Sequence, residues 1–371
     1  MSNTRNDLVN DPTKESLLDL PPELIHDSIS SAAHADHHYA SIEATRMMAT
    51  LSNTCQTMHN LFKPELDKRA ENLLLTLVLQ GNKTNVLHIA KTTPGLFFIK
   101  STAMDYAMDL EGNRRTLQDW SPYQALFGTV DVDMFASVKP YLDAYLAGLP
   151  TGDALAAQQK QEKFPQGFDY PASTYDFSPL VQAINGDQQL RQTGAPSQAT
   201  LDVLRKFRND FKPGVVIAGH HFNMNDLIKA HEVYHQSVDS WNPEQIDFFS
   251  VKVIGFLERL LTAPYLQRAC QGFINFTKQD QPLNRSFEVM NNTTNKKIVV
   301  VPLDSDPSCR LGEGFLIDSD CGVRCCLPGF FARPASSYAG VFGKLCQANT
   351  AELSRLACGL PSQVSSPCVI L

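Results

Sequence analysis

The sequence predicts a mainly α fold with one small β-hairpin, and three observations lead there. First, apolar residues recur at helical spacing over 199–209, 224–236 and 244–261, with Phe222, Leu227, Ile228 and Val233 giving the middle segment its stripe. Second, only 286–303 reads as a hairpin. Its second strand is the β-branched run Ile298-Val299-Val300-Val301, and Asn291-Asn292-Thr293-Thr294-Asn295 is the turn. Third, 43% of the 371 residues are hydrophobic and 19% are charged, which is enough apolar material for a sizeable core.

The elements follow in chain order. Residues 1–16 are polar and expected to be disordered. Residues 17–68 read as a small helical unit, interrupted by the His-rich stretch His34-Ala35-Asp36-His37-His38. Helical spacing resumes in 69–150, first with Leu73, Leu74, Leu77 and Val78. Val86, Leu87 and Ile89 continue it after Gly81-Asn82, and a second segment runs from Ser121 to Tyr145. Thr151 to Lys163, rich in Gln, Ala and Lys, reads as a helical or flexible linker. Tyr170-Pro171 and Phe177-Ser178-Pro179 are turn signals within a helical domain expected over 151–330. Beyond about Phe331 the periodicity fades, and 331–371 is expected to be a partly helical tail.

Charge and cysteine usage narrow the function. A net charge of -7 argues against a general nucleic-acid binder, which needs a basic surface to displace counterions. No apolar run approaches the roughly 18–20 residues that span a bilayer. Met1 to Asn10 lacks the apolar core of a secretory signal peptide. Nine cysteines, most of them late in the chain, do not suggest a disulfide framework and suit a reducing compartment.

Cys368-Val369-Ile370-Leu371 has the prenylation pattern, a cysteine followed by two aliphatic residues and a final Leu that favours geranylgeranyl over farnesyl. Pro361 to Pro367 is the extended spacer that a host prenyltransferase needs to draw the tail into its cleft. One prenyl chain usually works with a second membrane signal. No polybasic run is present, and Cys346 and Cys358 are the candidates for acylation.

Leu20-Pro21-Pro22-Glu23-Leu24-Ile25 resembles the opening of an F-box, and Leu51 to Phe62, which includes Cys55 and Leu61, resembles its third helix. Pro is tolerated in the first turn of a helix and Glu23 suits a helix N-terminus. Leu20, Leu24 and Ile25 then offer an apolar face. The resemblance implies that Leu20, Pro21, Glu23, Leu24, Ile25, Leu51, Cys55 and Leu61 dock on the Skp adaptor of a cullin ubiquitin ligase. The stretch from Ser30 to Arg46 is longer and richer in His than the usual connection.

Leu77-Val78-Leu79-Gln80-Gly81-Asn82 with Val86 resembles half of an ankyrin repeat, and Ser121 to Leu126 with Gly128 and Val132 resembles a fuller one. Such units bury their faces only by stacking. The Gly81 to Gly128 spacing exceeds the roughly 33-residue period, so an insertion around Glu111-Gly112-Asn113 is expected. Together these features resemble Legionella-type secreted effectors. Three stretches resemble a module that recurs in such proteins: Phe168-Asp169-Tyr170-Pro171, His221-Phe222-Asn223-Met224 and Pro302-Leu303-Asp304-Ser305-Asp306-Pro307. The resemblance implies delivery by a bacterium into a host cell, attachment to the cytosolic face of a host membrane, an unknown host substrate and no cofactor.

The competing reading is enzymatic. His231-Glu232-Val233-Tyr234-His235 matches the HExxH pattern, in which two His one turn apart share a zinc ion and Glu232 is the general base. Glu258 on the next predicted helix is the candidate third ligand. Other chemistry finds less support. Cys321, Cys325 and Cys326 lack a paired Cys-x-x-Cys, Arg285-Ser286 with Glu288 lacks the Glu-x-Glu step of arginine-directed ADP-ribosyltransferases, and no Gly-rich phosphate loop or Gly-x-Ser-x-Gly elbow is present.

Overall fold

The computed structural model describes residues 46–53, 56–270, 285, 287–291, 296–299, 315–318, 322–325 and 338–357. The chain divides between Glu71 and Asn72 into two compact units. The first contains a helical segment at 46–52 and the start of α1 (Gln56–Leu79). Met48, Leu51, Met58 and Phe62 are its buried centre, with Leu61 and Leu66 partly buried against them. Two ion pairs one turn apart, Lys63–Asp67 at 2.6 Å and Arg69–Glu65 at 3.0 Å, brace this part of α1. Such pairs contribute only about 0.3–0.5 kcal/mol each.

The second unit begins with the end of α1 and α2 (Lys83–Thr92), joined at Gly81-Asn82, where Gly81 has φ +65° and the Asn82 side chain caps α2. A hairpin follows, β1 (Ser101–Met108) and β2 (Arg114–Trp120). It occupies the place of the insertion expected around Glu111-Gly112-Asn113. Its turn is tied by the Asp109 carboxylate, which accepts from the backbone N–H groups of Glu111 and Asn113 and from the Asn113 amide. α3 (Pro122–Gly128) opens with a full capping box between Ser121 and Gln124, and Asp131 caps α4 (Val132–Ala147). α2 packs on α4, so the two helix pairs meet around the hairpin.

Gln- and Lys-rich 152–163 is helical, as α5 (Gly152–Lys163). Then come α6 (Ser178–Gly186), α7 (Gln188–Thr193) and α8 (Gln198–Asp210). Strand β3 (Val215–Val216) pairs parallel to β2 and completes a sheet of order β1-β2-β3. α9 (Met224–Ser237) and α10 (Pro243–Phe249) follow, and a π-helical stretch, Ser250–Ile254, runs into α11 (Gly255–Arg259). The three helices expected at 199–209, 224–236 and 244–261 are thus present, the last interrupted by the π segment. α12 spans Ala263–Cys270.

The hairpin expected in 286–303 is present as β4 (Glu288–Asn291) and β5 (Lys296–Val299). It is not the only one: besides β1–β2, strands β6 (Phe315–Asp318) and β7 (Gly322–Cys325) pair antiparallel. The expectation of a single hairpin is therefore corrected, while the mainly helical class holds. The tail also differs from the aperiodic reading. α13 (Tyr338–Ala357) is a twenty-residue helix that packs along α9. Its buried residues Phe342, Leu345, Cys346, Leu353 and Leu356 recur at helical spacing and lie on one face.

One apolar core runs through the second unit from Leu74 to Leu356. The boundary expected at 150/151 falls inside it. Tyr123, Phe127, Phe135, Phe164 and Phe168 form one aromatic chain, with ring centroids 4.9–6.0 Å apart. Tyr175, Phe177, Phe207 and Phe249 form another. Edge-on and tilted contacts of this kind add about 0.5–1.5 kcal/mol per pair beyond burial.

Candidate functional site

A buried cluster of charged and polar side chains in the second unit is built on the β1–β2 hairpin. Asp105 on β1 is fully buried and Arg115 on β2 nearly so. Arg115 Nε lies 3.2 Å from Asp105 Oδ2, and the ring of His221 brings Nδ1 to 3.8 Å from the same oxygen. The rest of the guanidinium donates to the backbone carbonyls of His221 and Leu260. One arginine therefore ties the hairpin to the loop before α9 and to the end of α11. His221 is pressed onto Gly128: a Cβ there would come 2.2 Å from Nε2, so only glycine fits. The His221 backbone N–H also donates to the Gly128 carbonyl at 3.0 Å, and the Trp120 ring meets the imidazole edge-on at 5.1 Å.

Burial sets the protonation of this centre. Desolvation raises the Asp105 pKa against the pull of Arg115, and burial lowers that of Arg115. Burial, with Arg115 adding to it, holds His221 far below the usual histidine range, so the ring is neutral. Neither of its nitrogens makes a hydrogen bond among the described residues. Two of the guanidinium nitrogens of Arg115 donate to fixed carbonyls, and among the described residues no hydroxyl or thiol hydrogen-bonds the His221 imidazole as a nucleophile–base pair would.

Beside it, His220 Nε2 lies 2.6 Å from the Phe168 carbonyl, and the His220 ring is 4.2 Å from that of Tyr170. Asn223 and Asn225 donate to the carbonyls of Ser173 and Pro171. Two of the three module-like stretches, 168–171 and 221–224, thus pack together here. The third, 302–307, lies outside the described residues. The sequence points to His221 through its module-like stretch, and does not point to Asp105 or Arg115. The only signal for them is a charged residue at a strand position that would otherwise be apolar.

The residues expected to bind the Skp adaptor fall in the first unit. Leu20, Pro21, Glu23, Leu24, Ile25 and Cys55 lie outside the described residues. Leu51 is buried in the small core and Leu61 is packed against it. Cys368 and Cys358 also lie outside. Cys346 is described, and it is a core residue: burial pushes its thiol up to about 12, with the Tyr265 hydroxyl 4.0 Å away. A thiol so held is neither exposed nor nucleophilic, which corrects its candidacy for acylation.

The HEVYH segment lies on α9 (Met224–Ser237). His231 is buried, 5.7 Å from the Phe342 ring on α13, and burial with His235 nearby lowers it to about 3. Glu232 pairs with Lys229 at 3.1 Å. Glu258 is buried on α11, and among the described residues no group of three or more His, Cys, Asp or Glu comes together to hold a metal ion. No described helix is long and apolar enough to cross a membrane.

Comparison with known proteins finds nothing similar: no protein family, no curated protein and no solved structure matches the chain.

Proposed function

We propose that this chain is a substrate adaptor for a host cullin ubiquitin ligase. In this reading the first unit docks on the Skp adaptor through Leu20, Pro21, Glu23, Leu24, Ile25, Leu51, Cys55 and Leu61. The second unit, with its ankyrin-like helix pairs α1/α2 and α3/α4, carries the host protein to be ubiquitylated. The observation that supports this best is the division at Glu71/Asn72. The first of the two compact units, Met1–Glu71, has its own buried cluster of Met48, Leu51, Met58 and Phe62, which suits a docking module. The Arg115 guanidinium ties the β1–β2 hairpin to the His221 and Leu260 carbonyls, which suits a body that holds a partner in place. Where Cys368-Val369-Ile370-Leu371 forms the carboxyl end, a geranylgeranyl thioether on Cys368 anchors the protein to a host membrane, each buried methylene contributing about 0.8 kcal/mol.

The test is capture of purified Skp adaptor by the full chain. Wild type retains it, and Leu20→Ala combined with Pro21→Ala loses it, because anchors of this kind each cost about 2 kcal/mol or more when truncated. Retention by the double variant at wild-type level removes the F-box reading. In eukaryotic cells Cys368→Ser shifts the protein from membranes to cytosol without changing Skp capture. Unchanged membrane association in that variant removes the lipid anchor.

A further inference from the structure

Tyr123, in the first turn of α3, is a polar side chain held almost entirely inside the second unit. Its ring meets those of Phe98, Phe127 and Phe135 at 5.1, 4.9 and 6.0 Å between centroids, and only 6% of the residue is exposed. A tyrosine hydroxyl buried to this degree normally finds a hydrogen-bond partner. This one makes no hydrogen bond to any described residue, and it is not closed off from open space. The space beside Tyr123 is a cavity of about 240 Å³ between α4, α5 and the last turn of α13. Burial, with Asp143 on the cavity wall adding to it, raises the Tyr123 pKa, so the hydroxyl keeps its proton and is a donor.

Phe135, Leu142, Leu146 and Leu356 give the cavity an apolar wall, and four charged side chains complete it. Their cover is unequal: Lys139 and Lys160 are partly buried, whereas Asp143 and Asp153 are exposed. Asp143 neutralises Lys139 at 2.5 Å, and the Lys160 ammonium has no carboxylate partner among the described residues. Ser121 and Gln124, on either side of Tyr123, both hydrogen-bond to Gln159, the residue before Lys160. Two donors without a protein acceptor, the Tyr123 hydroxyl and the Lys160 ammonium, are thus fixed on one cavity. We propose that this cavity binds a small monocarboxylate with an apolar body. Its two carboxylate oxygens accept from Tyr123 and Lys160, and its body lies on Phe135, Leu142, Leu146 and Leu356. A carboxylate answers both donors at once, and hydrogen bonds to it are charge-assisted. An amine offers neither of them an acceptor, and an alcohol offers a single oxygen. The cavity is smaller than the roughly 300–1,000 Å³ of sites for drug-sized ligands, which restricts the ligand to a short chain or a single ring.

The probe is octanoate, with octylamine and octan-1-ol as controls, titrated against the full chain by ligand-observed NMR. Wild type binds octanoate in the millimolar range or below, and at least tenfold more tightly than either control. Tyr123→Phe removes one oxygen that no described residue uses, so the melting temperature stays at the wild-type value while octanoate affinity falls at least fivefold. Lys160→Met keeps the apolar stem and abolishes the preference for octanoate over octan-1-ol. Ala157→Trp, at an exposed position on the cavity wall, places an indole over the cavity and weakens octanoate binding at least tenfold. Circular dichroism and melting confirm that the variants are folded. Absence of octanoate binding to wild type at millimolar concentration, equal binding of octylamine, or wild-type affinity in both Tyr123→Phe and Lys160→Met overturns the proposal. Skp capture by the same variants stays at the wild-type level, so failure here is distinct from failure of the adaptor reading.

Discussion

Four apolar side chains, Met48, Leu51, Met58 and Phe62, are the buried centre of the described part of the first unit. The second unit is held by a continuous core from Leu74 to Leu356, two aromatic chains and the buried Asp105–Arg115 pair. The described part of the first unit buries few apolar side chains and the second unit many, so loss of a core side chain is felt in different places in the two. Under the proposed adaptor reading, a partner acts on the first unit and a substrate on the second.

The largest effect expected is in the second unit. Arg115→Ala leaves Asp105 buried without its cation and the carbonyls of His221 and Leu260 without their donor, and breaking a buried pair by removing one partner costs about 3–5 kcal/mol. Calorimetry should show the second unit melting several degrees lower, with Skp capture retained below that transition. A variant that melts like wild type shows that the clamp does not hold the hairpin. Next comes Phe62→Ala, which empties the first core at a cost of about 3 kcal/mol. It should abolish Skp capture and leave the main melting transition in place, and loss of that transition breaks the contrast between the units.

The third expectation separates the units by pH. His220, His221 and His231 all lie in the second unit, and burial lowers each of them. Because the folded pKa is depressed, the unfolded chain takes up the proton first. Stability is therefore fully present above about 6.5, the ordinary histidine value, and is lost as the pH falls below it. Between pH 7 and pH 5 each of these histidines contributes to that loss. The melting temperature of the second unit should fall over that window, and His231→Phe should flatten the fall. A flat profile for wild type shows that these rings are protonated in the folded chain.

The helices were legible where an apolar stripe met a clear start. Ser197, Asn223 and Asn242 cap α8, α9 and α10 immediately before Leu-, Ile- and Phe-bearing segments. The β1–β2 hairpin was not legible, because β1 buries a carboxylate at Asp105 and β2 an arginine at Arg115, and both break the apolar–polar alternation. The register also slips between Ser101 and Ala103, where Asp119 takes φ 60°. β3 is two residues long and carries no period at all. α13 was obscured by Gly340 and Gly343, and by reading Cys346 as a lipid site when its neighbours Phe342, Leu345 and Leu353 mark it as core. The clamp at Asp105, Arg115 and His221 joins residues 106 and 145 positions apart in the chain to a single guanidinium, and no local pattern encodes that.

Hydrogen–deuterium exchange of the full chain, with and without saturating purified Skp adaptor, tests the division of labour between the two units most directly. Protection should appear over residues up to 71 and be absent from the Asp105, Arg115 and His221 peptides and from β3. Protection in the second unit, or no change anywhere at saturating adaptor, contradicts it.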